Sequence, residues 1–298
     1  MTARDFTKLL RELPILATKE YCRGKTFIVT GANVGLGREA SRHLVSLEAS
    51  RVIMAVRNVS AGEEAKASIE ASTGVGGVAQ VWKLDLSSYD SVKAFAAKAV
   101  SELDRIDACI HNAAVAETKN VVAEGHFIGI TVNVIGTHLL GMLLFPKMKE
   151  DAKKFNSTPH MAFVSSGAGF GEGMKEAFDA MQDDPISGID RGTVPFTITY
   201  PITKLLETLS VRHLARLLPV SDTGVIINIV CPGICETELG RHSPPEFKDH
   251  LQHLHKTVGR TADHGSRTLL HGAVAGVDSH GRYLDTCEFG EYVIPFVA

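Results

Sequence analysis

The sequence predicts an α/β protein: a single, doubly wound domain with a central parallel sheet of about seven strands flanked by helices. Two observations carry this. Short apolar runs alternate with stretches of helical periodicity along most of the 298 residues. A glycine-rich turn joins the first apolar run to the first helix, and no linker, internal repeat or low-complexity tract divides the pattern.

Taken in order, Lys25–Thr30 reads as the first strand and Gly35–Leu47 as its helix. Arg51–Val56 is the second strand, with a helix over Ala61–Ser72. Gln80–Leu84 is the third, with a helix over Ser91–Ser101. Ala108–His111 is the fourth, followed by a long helix over Phe127–Lys149. Met161–Val164 is the fifth strand and Tyr200–Leu217 its helix. Val225–Val230 is the sixth, Ala262–Ala275 a late helix, and Arg282–Leu284 a weak seventh strand. Residues 1–24 read as an N-terminal extension and residues 25–298 as one continuous domain. Two segments break the rhythm: an insert over 167–199, and a His-, Pro- and Glu-rich stretch over 235–260. Long irregular segments in compact domains often form lids or binding loops, so the second is expected to be a solvated lid.

Composition excludes several classes. A net charge of −3, with 31 basic and 34 acidic residues, carries no clustered basic excess of the kind nucleic acid requires. Cys22, Cys109, Cys231, Cys235 and Cys287 are an odd, scattered set and not a disulfide framework. His242, His250, His253 and His255 lack clustered Cys or carboxylate partners, so no metal is expected. The N-terminus has no continuous apolar core of a signal peptide. The apolar stretch from Ile128 to Met148 is broken by Asn133, His138, Pro146 and Lys147 and reads as a buried helix rather than a membrane span. The expected location is the cytosol.

The turn after the first strand is Thr30-Gly31-Ala32-Asn33-Val34-Gly35-Leu36-Gly37. Gly31 permits a tight turn, Gly35 lets backbone approach a pyrophosphate, and Gly37 lets helix and strand pack closely. The following helix N-terminus faces the negative charge. Gly31, Asn33, Gly35, Leu36 and Gly37 are therefore candidate cofactor contacts. The second strand ends at Val56-Arg57, twenty residues after Gly37. A carboxylate there would bond the ribose of NAD and repel a 2′-phosphate; the Arg57 fork suits the phosphate. NADP(H) is thus expected in preference to NAD(H), unless Arg57 is merely a solvated strand end.

The T-G-x-x-x-G-x-G spacing resembles that of the short-chain dehydrogenases/reductases, and further residues extend the resemblance. Asp85-Leu86 resembles the family's adenine-contacting segment. His111-Asn112-Ala113-Ala114 resembles its N-N-A-G, departing at both ends. Pro232-Gly233 with Thr237 resembles its P-G-x-x-x-T segment, whose Thr holds the nicotinamide carboxamide. The resemblance spans roughly Lys25 to Thr237 and implies a Rossmann-like fold. It is closest to the branch of retinol dehydrogenases and WW-domain oxidoreductases, and also touches the tailoring reductases of fungal secondary metabolism.

Hydride chemistry belongs to the cofactor, so the protein must supply a proton at the carbonyl oxygen. Tyr200-Pro201-Ile202-Thr203-Lys204 puts a phenol and an ammonium four residues apart on one helix face. The lysine ammonium and the positive nicotinamide ring of an oxidised cofactor both favour the phenolate; a charge about 5 Å away at an effective dielectric near 20 contributes about 3 kcal/mol, which draws the phenol down towards a useful range. Pro201 falls in the first helical turn, where its missing N–H costs little. By resemblance, Ser166 rather than Ser165 holds the substrate oxygen, and Asn133 anchors a water beside Lys204. The catalytic set is thus Asn133, Ser166, Tyr200 and Lys204.

The insert carries Phe170, Met174, Phe178, Met181, Ile186 and Phe196, which either line an apolar substrate cavity or pack the insert onto the body. The expected reaction is reduction of a hydrophobic or aromatic ketone or aldehyde. A redox-neutral isomerase or cyclase on the same fold, and a cofactor-sensing binding protein, are the alternatives. The long helix and the Tyr200 helix resemble the family's subunit interface, which implies a homodimer or homotetramer.

Overall fold

The computed structural model describes residues 12–171, 173–181, 184–242 and 245–290. Its main sheet has eight strands: β1 (Thr26–Thr30), β2 (Arg51–Val56), β3 (Ala79–Lys83), β4 (Ala108–His111), β7 (His160–Val164), β8 (Ile226–Cys231), β9 (Tyr283–Asp285) and β10 (Glu288–Gly290). A separate two-stranded hairpin pairs β5 (Val122–Ala123) with β6 (His126–Phe127). The order across the main sheet is 3-2-1-4-7-8-9-10. All neighbours are parallel except β9 and β10. The weak seventh strand exists, and it turns back through Thr286 and Cys287, both at positive φ, to add an eighth that the sequence pattern did not announce.

The sheet separates two apolar layers. The alternation of side chains along a strand sends Ile28, Ile53, Met161 and Ile227 to one face and Phe27, Val29, Val52 and Met54 to the other. The first face is covered by α4 (Tyr89–Glu102), the long helix Ile128–Phe155 and the Tyr200 helix (Thr199–Leu217), through Phe95, Leu144 and Val211. The second is covered by α2 (Gly35–Ser46), α3 (Val59–Thr73) and the late helix Ala262–Val274, through Leu44, Ile69 and Leu269. Nearly continuous burial along the inner strands is what a sheet covered on both faces requires.

Helix starts follow the capping residues. The Asn58 side chain accepts from Ala61 N, and the Ser88 hydroxyl accepts from Ser91 N, so both helices begin two residues before apolar periodicity alone places them. The long helix is, among the described residues, the one helix long and apolar enough to cross a membrane by length and composition, yet 61% of its most apolar window is buried in the protein. It opens with a π-helical segment over Thr131–Gly136 that the sequence pattern did not disclose. Residues 12–24 do not stand apart from the body. Leu13, Ala17 and Cys22 are buried, and Arg267 donates to the Leu13 carbonyl at 2.6 Å. The rest of the expected extension lies outside the described residues.

The two segments expected to be irregular are largely helical. The insert holds helices at Met174–Met181 and Pro185–Asp190. The lid holds a 3-10 turn at Glu238–His242 and a helix at Pro245–Val258. Within the insert, Met174 and Met181 are buried with Phe127, Ile130 and Ile202, while Phe178, Ile186 and Phe196 pack against that cluster. Of the six apolar insert residues, Phe170 lines the cleft described below. The packing reading therefore accounts for the other five.

Candidate active site

The carboxyl ends of β1, β2, β4, β7 and β8 open on one cleft of about 1890 Å³. The chain order reverses between β1 and β4, the place where doubly wound sheets bind their ligands. Gly31, Asn33, Gly35, Leu36, Arg57, Asp85, Leu86, Asn112, Ser166, Tyr200, Lys204, Pro232, Gly233 and Thr237 all line it. Gly37 and Asn133 act from behind the wall.

The glycine turn is held by its neighbours. Gly31 and Gly35 have φ of +68° and +55°, a backbone that other residues rarely adopt. A Cβ on Gly37 would sit 2.5 Å from the Gly31 carbonyl and 2.6 Å from Asn112 Nδ2, so only glycine admits the helix this close. Asn112 Nδ2 donates to the Thr30 carbonyl at 2.8 Å, and the Thr30 hydroxyl accepts from the Asn112 and Ala113 amides. Asn112 thus splices the end of β4 to the glycine turn. Asp85 accepts from the Ser87 amide and hydroxyl at 3.0 and 2.6 Å, which shapes the turn after β3. At the end of β2, Lys83 holds the Arg57 carbonyl at 2.6 Å and leaves the Arg57 side chain exposed at the cleft.

The catalytic candidates converge on the Tyr200 helix. Pro201 sits in its first turn, as the spacing requires. The two serines at the end of β7 have separate roles. Ser165 is buried, donates to the Lys204 carbonyl at 3.0 Å and pairs with Thr208 at 2.7 Å. Ser166 faces the cleft, its hydroxyl accepts from the Ala168 amide at 3.2 Å, and it lies near enough to Tyr200 to lower the phenol. The turn after Ser166 packs so closely that a Cβ on Gly169 would lie 3.0 Å from the Leu205 amide, which brings Ser166 beside Tyr200. Asn133 is fully buried in the π-helical segment. Its Oδ1 accepts from the Val115 amide at 2.9 Å, and its Nδ2 donates to the Val115 carbonyl and to Thr203 Oγ1.

Residues 25–177 match the sequence family described as short chain dehydrogenase. The chain is 43% identical over 296 residues to the short chain dehydrogenase/reductase dmxR8 of a Cryptosporiopsis species, covering 98% of this chain and 89% of that one. It is 38% identical to the short chain dehydrogenase atnD of Emericella nidulans, covering 95% and 90%.

This chain belongs to the short-chain dehydrogenase/reductase family.

Solved structures agree on the fold. NADPH-bound carbonyl reductase from chicken fatty liver aligns with a TM-score of 0.66 at 20% identity, over 91% of this chain and 100% of that one. Levodione reductase aligns with a TM-score of 0.69 at 15% identity, over 88% and 96%. Family membership makes the protein an oxidoreductase.

The short-chain dehydrogenase site fits a dinucleotide. The N-cap of α2, Val34, offers no side-chain bond to the first turn, and that turn carries no acidic residue. The free N–H groups of a helix start therefore face the cleft, where a pyrophosphate is stabilised. Among the described residues no group of three or more His, Cys, Asp or Glu side chains is placed to hold a metal ion.

One expectation is corrected. Lys204 was expected to draw the Tyr200 phenol down. In the protein by itself the phenol is pushed up: burial is the main cause, the nearby Ser166 hydroxyl opposes it, and Glu207 and Cys231 add to the rise. Burial thus outweighs any help from the Lys204 ammonium, which is itself paired. Its Nζ donates to the Val164 carbonyl at 2.7 Å and to Glu207 Oε2 at 2.9 Å, with both side chains almost wholly buried. Sequence reading passed over Glu207. Its only signal was the i,i+3 spacing from Lys204, which on an exposed helix face marks an ordinary surface pair.

Proposed function

We propose that this enzyme is an NADPH-dependent reductase that converts a hydrophobic or aromatic ketone or aldehyde to the alcohol. The observation that carries the reading is Tyr200 and Ser166 together at the cleft wall, with Tyr200 one helical turn from the buried ammonium of Lys204. Bound NADPH supplies the hydride. Ser166 donates a hydrogen bond to the substrate oxygen and orients the carbonyl. Tyr200 gives its proton to that oxygen as the carbon is reduced. A phenol kept protonated by its surroundings suits a proton donor. Asn133 and Lys204 are the proposed relay that returns a proton to Tyr200 after turnover. The exposed Arg57 guanidinium supports NADP(H) over NAD(H), since no carboxylate ends β2.

The substrate space is bounded by Phe170, Ile198, Leu239, Leu251 and Leu254, a wall that matches an apolar substrate. The exposed Met142 and Leu143 on the long helix and Leu217 on the Tyr200 helix support a homodimer or homotetramer built on these two helices. We place the enzyme in the cytosol.

The test follows NADPH consumption against a panel of aromatic and polyketide-like ketones, quinones and retinaldehyde, with Tyr200→Phe alongside. Turnover lost in the variant, with NADPH binding retained, supports the reading. A product of unchanged mass would instead establish a redox-neutral enzyme, and NADPH turnover undiminished in the variant would remove Tyr200 as the acid.

A further inference from the structure

We infer that Glu207 is a positioning residue that sets the protonation of Tyr200 by neutralising the Lys204 charge, and so biases this active site towards reduction. The inference rests on Tyr200 being the acid.

The Lys204 ammonium, one helical turn from the phenol, is buried together with a carboxylate. Glu207 is 1% exposed and Lys204 2%, and the two meet at 2.9 Å across one helical turn. The second contact of the ammonium, the Val164 carbonyl, is neutral. A lone buried ammonium acts on the phenol at nearly full strength, because little water screens it. With Glu207 ionised beside it, the pair presents a dipole, and the pull on the phenol largely cancels.

The groups facing this pair from other elements do not replace it. Ser166 and Cys231 act on Tyr200 from the ends of β7 and β8, the first lowering and the second raising its phenol. His138, from the long helix, faces Lys204, and burial pushes its imidazole down towards the neutral form. His111 lies behind His138 and is held lower still, at about 3. Burial raises Glu207 itself to about 7, against the opposing pull of Lys204, so its charge is present above about pH 7 and is lost as the pH falls through that value.

The consequence for direction follows from the proton balance. In reduction the carbonyl carbon accepts a hydride from NADPH, its oxygen takes the Tyr200 proton, and the alcohol and NADP⁺ leave. In oxidation the phenolate must accept the alcohol proton while the hydride passes to NADP⁺. A phenol held high favours the first and starves the second near neutral pH.

The experiment measures kcat/KM against pH in both directions for wild type, E207Q and Y200F, using NADPH with a turned-over ketone and NADP⁺ with its alcohol. The expected result for E207Q is a fall of about one pH unit or more in the midpoints of both the alkaline limb of reduction and the rising limb of oxidation. The oxidation-to-reduction ratio at about pH 8, where wild-type Glu207 is ionised, then rises about tenfold. E207D, which keeps the charge, leaves the midpoints near wild type. If E207Q does not fold, E207M, neutral and of similar length, takes its place. A neutral variant that loses rate with unmoved midpoints overturns the inference and makes Glu207 merely structural. Undiminished turnover in Y200F overturns the proposed acid instead, so the two failures are distinguishable.

Discussion

Asn133 Nδ2 donates to Thr203 Oγ1 at 3.0 Å, and Thr203 in turn donates to the Tyr200 carbonyl at 2.8 Å. The π-helical segment is therefore fastened to the first turn of the Tyr200 helix, while its other bonds hold the loop at Val115. Asn133→Ala removes the bonds to Thr203 and to the Val115 amide and carbonyl, and leaves the Thr203 bond to the Tyr200 carbonyl in place. The expected outcome is a loss of about 100-fold in kcat, because displacement of a reacting group by about 1 Å has that effect. NADPH affinity changes far less. Steady-state kinetics and a cofactor fluorescence titration check the split; equal losses in both would point to general unfolding.

Gly37→Ala tests the close approach of helix and strand. Its Cβ would meet the Gly31 carbonyl at 2.5 Å, and the carbonyl is backbone that must move. A cost of about 1–3 kcal/mol in stability is expected. Dinucleotide affinity falls about tenfold or more as the glycine turn shifts. Thermal melts and NADPH titration read both quantities. An unchanged melt would show that the turn yields freely.

Arg57→Asp tests cofactor choice. Replacing an exposed guanidinium by a carboxylate removes a partner for the 2′-phosphate and adds repulsion. The KM for NADPH is expected to rise about tenfold or more, with NADH affected much less. Equal KM values for the two cofactors in wild type, unmoved by the substitution, would remove Arg57 from cofactor selection.

Stability in acid follows from two buried imidazoles. Burial pushes His111 down to about 3 and His160 to about 4, while an unfolded histidine titrates near 6.5. As pH falls below about 6.5 the unfolded chain binds protons that the folded protein refuses, so stability drops. The loss runs from about pH 6.5 down to the folded values, at about 1.4 kcal/mol per pH unit for each group. Both ring nitrogens of His111 lack a partner, and its ring stacks on Phe163 at 4.3 Å. His111→Leu is expected to flatten the fall in urea midpoint between about pH 6 and about pH 4. An unchanged slope would mean that other groups govern acid unfolding.

Much of the molecule was readable in advance. The inner strands are continuous apolar runs ended by turn residues, and the glycine turn falls between β1 and α2 as its spacing requires. The Tyr200–Lys204 pair was legible because a helical period of four places both on one face. The helices at Met174–Met181 and Pro185–Asp190 were not, because each is short and held by burial against Phe127, Ile130 and Ile202 rather than by its own propensity. The π-helical turn escaped for a similar reason: Gly136 packs against the Leu86 carbonyl, a Cβ there falling 2.4 Å away, and that contact has no local signature.

The sequence by itself determined the order of the main strands and helices, the glycine turn and the placing of the phenol and ammonium on one helix, since each depends on periodicity or on residues close in the chain. Only the tertiary structure decided which serine faces the cleft, that the apolar insert residues mostly pack inward, and that the Lys204 ammonium is countered by Glu207. Those facts depend on burial, and burial is set by elements far apart in the chain: water is removed from a charge only when β7 and the long helix close over it, and the strength of the charge follows from that removal.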